Sequence, residues 1–225
     1  MKAVANANQE SNDKTTPLWL ACGLKASLRR SGNLNPKNAH IPLPEQIVDL
    51  LLGFNAQPDR PSYEGQTPLM VAAAEGHVGI VGKLIDRGAE IGRACVNGHI
   101  PIMYAAWFGH LDVVLALVNL GAAVDAKNHK SSALTFAATR GHDSVVELLL
   151  SRGARIDHIG PDRGTALIAA SKAGRLSTVK LLIAKRARLH EFDADHCDAL
   201  HYAKKSGDLA IVEAIMAGYP PPRDQ

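Results

Sequence analysis

The chain has 225 residues, of which 46% are hydrophobic and 21% charged, a composition that suits a soluble globular protein with a sizeable core. Its formal charge of +3 is too small to argue for a nucleic-acid partner by itself. Three scattered cysteines, Cys22, Cys95 and Cys197, form no CxxC pair and point to a reducing compartment rather than a disulfide framework.

The opening "MKAVANANQESNDK" lacks an apolar h-region, and the longest apolar run, "VVLALV", is far shorter than the ~20 residues that cross a bilayer. A cytoplasmic location is therefore expected. Residues 1–15 read as a flexible leading segment. From Leu18 on, one pattern recurs. A leucine or isoleucine opens a segment at Leu18, Leu69, Ile102, Leu134, Leu167 and Leu200, the last five spaced by 33, 32, 33 and 33 residues. An alanine follows three positions later each time, from Ala21 to Ala203, and Gly76, Gly109, Gly141, Gly174 and Gly207 keep the same spacing. A fixed period of this length marks a stacked repeat architecture.

Each unit starts as a helix. Thr16-Pro17 and Thr67-Pro68 set an N-cap hydroxyl before a proline in the first turn. A short alanine-rich helix then ends at a "GH" turn. A second helix such as "DVVLALVNLG" has apolar residues at helical spacing and stops at a glycine suited to the left-handed cap: Gly88, Gly121, Gly153 and Gly218. Repeat five has Arg186 at that capping position, and repeat six has Asp198 where the threonine is expected. About a dozen polar, turn-forming residues lead to the next unit.

Repeat one differs. From Leu18 to Gly53 is 35 residues, against 19 from Leu69 to Gly88, which places an insertion at about 24–44, between its two helices. The insertion carries Lys25, Arg29, Arg30 and Lys37 and no acid before Glu45, and its Gly, Asn and Pro content reads as a surface loop.

"TPLMVAAAEGHVGIVGKLIDRGAEI" and its copies resemble the ankyrin repeat, whose period is about 33 residues. The resemblance covers 16–219 and leaves 220–225 as a proline-rich tail. It implies an all-α solenoid of about six helix-turn-helix repeats joined by β-hairpin-like loops. Only the last copy keeps the family's signature histidine, His201, so hydrogen bonding between repeats is expected to be weaker or different here.

The resemblance also implies a concave strip built from hairpin tips and the last turn of each first helix. Carried over by position, the strip contains Tyr63, Glu64 and Glu75, then Val96, Asn97, His99, Trp107 and Phe108, then Lys130, Arg140, Asp162, Lys172 and Lys205. "MYAAWFGH" places three aromatic rings within five residues, although Phe, Trp and Tyr are only 4% of the chain. Tyr104 is expected to lean toward the core, Trp107 to face the strip and Phe108 to sit at its edge. Trp and Arg are enriched at interface hot spots, so Trp107 with a basic flank from Arg140 to Lys205 suits a partner offering an apolar anchor beside acidic residues. The alternative for Trp107 is packing on a neighbouring helix.

No phosphate-binding, nucleophile-elbow or zinc-protease motif is present in the sequence, and "HCDALH" (196–201) lacks zinc-site spacing. The expectation is a non-catalytic interaction module without cofactor or metal. A dedicated inhibitor or antidote that occludes an enzyme or toxin is the second reading. Binding to an anionic surface or nucleic acid through the basic insertion is the third.

Overall fold

The computed structural model describes residues 6–24, 43–125, 131–159 and 164–218. Lys130, Asp162, the basic residues of the insertion and the tail 220–225 lie outside these.

Among the described residues twelve helices form six pairs. Repeat one has α1 (Pro17–Cys22) and α2 (Pro44–Gly53), and repeat two has α3 (Pro68–Glu75) and α4 (Val78–Asp86). Repeat three has α5 (Pro101–Phe108) and α6 (Leu111–Asn119), and repeat four α7 (Ala133–Arg140) and α8 (Asp143–Ser151). Repeats five and six add α9 (Ala166–Lys172) with α10 (Leu176–Ala184), and α11 (Ala199–Ser206) with α12 (Leu209–Gly218). The odd-numbered helices pack side by side in one row and the even-numbered helices in a second. No strands occur among the described residues.

The helix starts follow local chemistry. The hydroxyls of Thr16, Thr67, Ser132 and Thr165 accept from the N–H three residues on, and the Asp198 carboxylate does the same for His201. Each satisfies a backbone donor that the helix leaves open, worth about 1 kcal/mol apiece.

Packing explains the residue pattern. Ala72, Ala73, Ala105, Ala106, Ala137 and Ala138 are all fully buried, so the first helices approach closely. The second helices bury an i, i+1, i+4 set: Ile80, Val81 and Leu84, then Val113, Val114 and Leu117, then Val145, Val146 and Leu149. Full burial of such a side chain contributes roughly 1.5–3 kcal/mol. In α10 the first of these positions is Thr178, whose hydroxyl is satisfied at 2.5 Å by Asp143 of the preceding repeat.

Side chains at the turns link one repeat to the next. In repeats two to five the residue after the turn glycine reaches back one repeat. His110 Nε2 donates to the Ala74 carbonyl at 2.8 Å, His142 Nε2 to that of Trp107 at 3.1 Å, and Arg175 Nε to that of Thr139 at 3.1 Å. The imidazole of His142 lies directly over Gly109, where a Cβ would come within 2.6 Å of it, and Gly109 has φ 77°. Glycine is required there on both counts.

A second set of links joins the loops. Asn8 Oδ1 accepts from the Gln57 N–H, Asp59 from Glu90, Asp125 from Arg155 and Asp157 from Arg188, at 2.8–3.0 Å. The equivalent position in repeat three is Gly92, so that rung is missing. Asn8 and the Glu10–Arg60 ion pair at 2.5 Å dock residues 6–15 onto the stack, so this part of the leading segment is the hairpin of repeat one rather than a loose end.

Two expected caps differ from each other. Arg186 adopts the left-handed conformation, φ 65°, in place of glycine. Gly218, expected as a left-handed cap, is instead the last residue of α12 and lacks a positive φ. Its need for glycine is spatial: a Cβ would stand 2.9 Å from Ile183 Cγ2.

Candidate partner-binding strip

Among the described residues four hairpin tips are tight turns of one design. In each, the first residue's N–H bonds the carbonyl four residues on: Ser11 to Thr15, Ser62 to Gln66, Cys95 to His99 and Asp193 to Cys197. The fourth residue is left-handed every time, at Lys14, Gly65, Gly98 and His196, with φ between 56° and 76°. This turn projects the second and third residues outward. Tyr63 and Val96 are therefore 75% and 78% exposed, and Glu64 and Asn97 stand beside them in the open. The tips are zipped together, the Tyr63 N–H to the Asp13 carbonyl at 3.0 Å and the Val96 N–H to that of Glu64 at 3.1 Å.

Between tips and helices lies an apolar hollow of about 250 Å³, lined by His99, Met103, Tyr104, Trp107, Phe108 and Phe136. Trp107 is half-buried rather than sealed inside, meeting Phe136 edge-on at 5.3 Å between ring centroids. His99 stands edge-on to both Phe136, at 5.2 Å, and Tyr104, at 5.9 Å. Phe108 is 49% exposed at the rim. The Arg140 guanidinium lies 5.0 Å from the Trp107 ring centroid, an attractive cation–π placement. The His142 bond to the Trp107 carbonyl fixes the backbone from which the indole projects.

Tyr104 bridges core and hollow. Its hydroxyl accepts from Gln66 Nε2 at 3.3 Å and lies 3.6 Å from Cys95 Sγ. Burial, the Cys95 contact and the nearby Glu64 carboxylate together push this hydroxyl well above its ordinary pKa. It stays neutral. Burial likewise pushes the Cys22 thiol up to about 12, so that side chain acts as a small hydrophobe.

The flanks are less uniform than the spacing implies. Counted from the opening Leu or Ile, Trp107, Lys172 and Lys205 share one register with Ala74 and Thr139. Glu75, Phe108 and Arg140 occupy the next position. All three cations are exposed, but Lys172 has a partner: its Nζ lies 4.8 Å over the Tyr202 ring. Tyr202 in turn donates to the buried Asp193 at 2.5 Å. Burial works to raise the Asp193 pKa, but bonds from Tyr202 and the Cys197 and Asp195 N–H groups, with Lys172 nearby, hold it below the usual range.

Sequence reasoning missed Phe136, Met103 and the exposed side of Tyr104. One signal was available: Tyr104 and Phe136 each stand two residues after the opening Ile102 and Leu134, so both rings occur at one register in adjacent repeats.

A model described as ankyrin repeats in three copies matches residues 42–128, 94–159 and 134–221. The Drosophila melanogaster protein named ankyrin repeat and KH domain-containing protein mask is 38% identical over 112 residues, 50% of this chain and 2% of that protein. The Homo sapiens ankyrin repeat and KH domain-containing protein 1 is 34% identical over 112 residues, again 50% of this chain and 3% of its own length. The chain thus spans a small fraction of the curated relatives it matches. Among solved structures, the human ASB11 ankyrin repeat domain superposes with a TM-score of 0.77 at 22% identity, covering 94% of this chain and 87% of that one. At that identity the likeness is one of fold.

Proposed function

Because the chain belongs to the ankyrin-repeat family, whose members are typically non-catalytic protein-interaction modules, we propose that it is an adaptor or scaffold binding a partner protein through its concave strip. Trp107 is the centre of the contact. The partner brings an apolar anchor for the hollow and acidic residues for Arg140, Lys172 and Lys205. The reading assigns no catalytic step to the protein. Its three unpaired thiols suit the reducing cytoplasm.

The observation that carries this reading is the placement of the indole. It stays accessible beside an apolar hollow, on a backbone held by His142, with a guanidinium on its face. Rigid aromatic and arginine groups around a small pocket are the usual hot-spot chemistry. Within the fold, the ring pair with Phe136 is worth about 0.5–1.5 kcal/mol and the Arg140 contact about 0.5–1 kcal/mol.

Trp107→Ala is therefore expected to leave a folded stack while weakening partner binding by ~2 kcal/mol or more. Parallel pull-downs with wild type and variant, alongside thermal melts, read both quantities. A sharp drop in melting temperature would mark the indole as core, and unchanged partner capture would remove it from the interface.

A further inference from the structure

Charge at the ends of the first helices is ordered by sign, while the tips are mixed, with Asp13, Glu64 and Asp195 at one register. On the repeat-two side of the hollow stand Glu64 and Glu75; on the other side Arg140, Lys172 and Lys205 follow one per repeat. The order of sign reaches the hollow itself. Glu64 acts on the Tyr104 hydroxyl, behind burial and the Cys95 contact, while Arg140 covers Trp107. The outer helices behave otherwise: at one register Glu147, Lys180 and Glu213 alternate in sign. Lys14 lies 5.9 Å over the Tyr63 ring and beside the exposed Asp13, so the repeat-one tip next to Glu64 carries both signs.

Geometry turns this order into a spacing. Packed helices of neighbouring repeats lie ~8–10 Å apart, and an extended chain advances ~3.3 Å per residue, so one repeat corresponds to about three residues of occupant. The hollow, about 250 Å³, is smaller than the ~300–1,000 Å³ that takes a drug-sized molecule, and it suits one large apolar side chain.

We propose that the strip takes an extended partner segment of fixed charge order: a cation, then an apolar anchor about three residues on, then carboxylates about three and six residues beyond the anchor. The anchor fills the hollow, the cation faces Glu64 and Glu75, and the carboxylates face Arg140 and Lys172. This rests on the strip being the partner site and adds which kind of segment it selects.

The test uses two labelled, end-blocked peptides with a central leucine and carboxylates at both downstream positions. One carries lysine at the upstream position and the other aspartate. Binding to the full chain is read by fluorescence anisotropy at about 50 mM salt, where screening is modest. Exchanging two opposite-charge contacts for two like-charge ones should favour the lysine peptide by roughly five- to tenfold. The charge-reversed double variant Glu64→Lys, Glu75→Lys should invert the preference, with a melt confirming that it folds.

Equal affinity of the two peptides, or a preference that survives charge reversal, overturns the charge order alone, provided Trp107→Ala still abolishes binding of both. Binding indifferent to Trp107→Ala overturns the strip as the partner site. No binding by either peptide overturns selection of an extended segment.

Discussion

Gly92→Asp should supply the missing rung between repeats three and four. Asp59, Asp125 and Asp157 each accept from a backbone N–H of the next repeat at 2.8–3.0 Å, and the register assigns the Ala123 N–H to position 92. Space is available: a Cβ on Gly92 meets nothing within 4 Å, and its φ is not in the left-handed region. A hydrogen bond to a charged group contributes about 1.5–3 kcal/mol, with the lower end suited to an exposed loop. Replacing glycine where the backbone permits adds about 0.4–1 kcal/mol by restricting the unfolded chain. Ordering the new side chain takes back on the order of 1 kcal/mol. The net gain is about 1–2 kcal/mol, or roughly 3–6 °C in Tm for a domain of this size. Urea and thermal denaturation followed by circular dichroism read it directly. Gly92→Ala isolates the backbone contribution, and Gly92→Asn keeps an acceptor without the charge, as Asn8 does in repeat one. If the aspartate variant is no more stable than the alanine variant near pH 7, the carboxylate links are incidental and the account of loop coupling fails.

Three further changes bear on the same framework. Arg186→Gly should raise the urea midpoint by the equivalent of about 1 kcal/mol, since it relieves a left-handed non-glycine residue; an unchanged midpoint would mean that the arginine is held there without strain. Ser171→Ala should stabilise by roughly 1 kcal/mol in a chemical melt, because the fully buried hydroxyl has no hydrogen-bond partner at a position that is Ala73, Ala106 and Ala138 in other repeats; a loss would point to an unseen partner for the hydroxyl. Asp193 predicts an acid limb. Its pKa is lower folded than unfolded, so its stabilisation is present above the unfolded value, about 3.9, and is lost as pH falls through the folded value. Asp193→Asn should flatten stability against pH below about pH 4, and a slope unchanged in that variant would assign the acid limb to other carboxylates.

Much of the architecture is readable in the chain because it is local and periodic. Threonine before proline caps a helix wherever it stands. Paired alanines recur because each first helix meets two neighbours at the same distance. The resemblance sets Trp107 on the strip with packing on a neighbouring helix as the alternative, and the indole is half-buried against Phe136. The hollow was not readable in the same way. Phe136 meets Trp107 across a repeat boundary, and a ring in the alanine-rich helix of repeat four looks like core until its neighbour's tip and helix are in position. Histidines in the "GH" turns likewise read as turn residues, and their bonds to carbonyls one repeat back need the stacking distance to be known.

Taken alone, the order of residues settles what repeats every 32 or 33 positions: helix starts, small and large apolar faces, and the number of units. Those features depend on backbone preferences and burial within one unit, which every copy states anew. Tertiary structure decides what happens between copies: the His142 bond that steadies the Trp107 backbone, the gap at Gly92, the left-handed Arg186, and the hollow that Trp107 and Phe136 line together. These depend on distances of a few ångströms between residues some 30 positions apart, and hydrogen bonds and ring contacts are gained or lost within such distances.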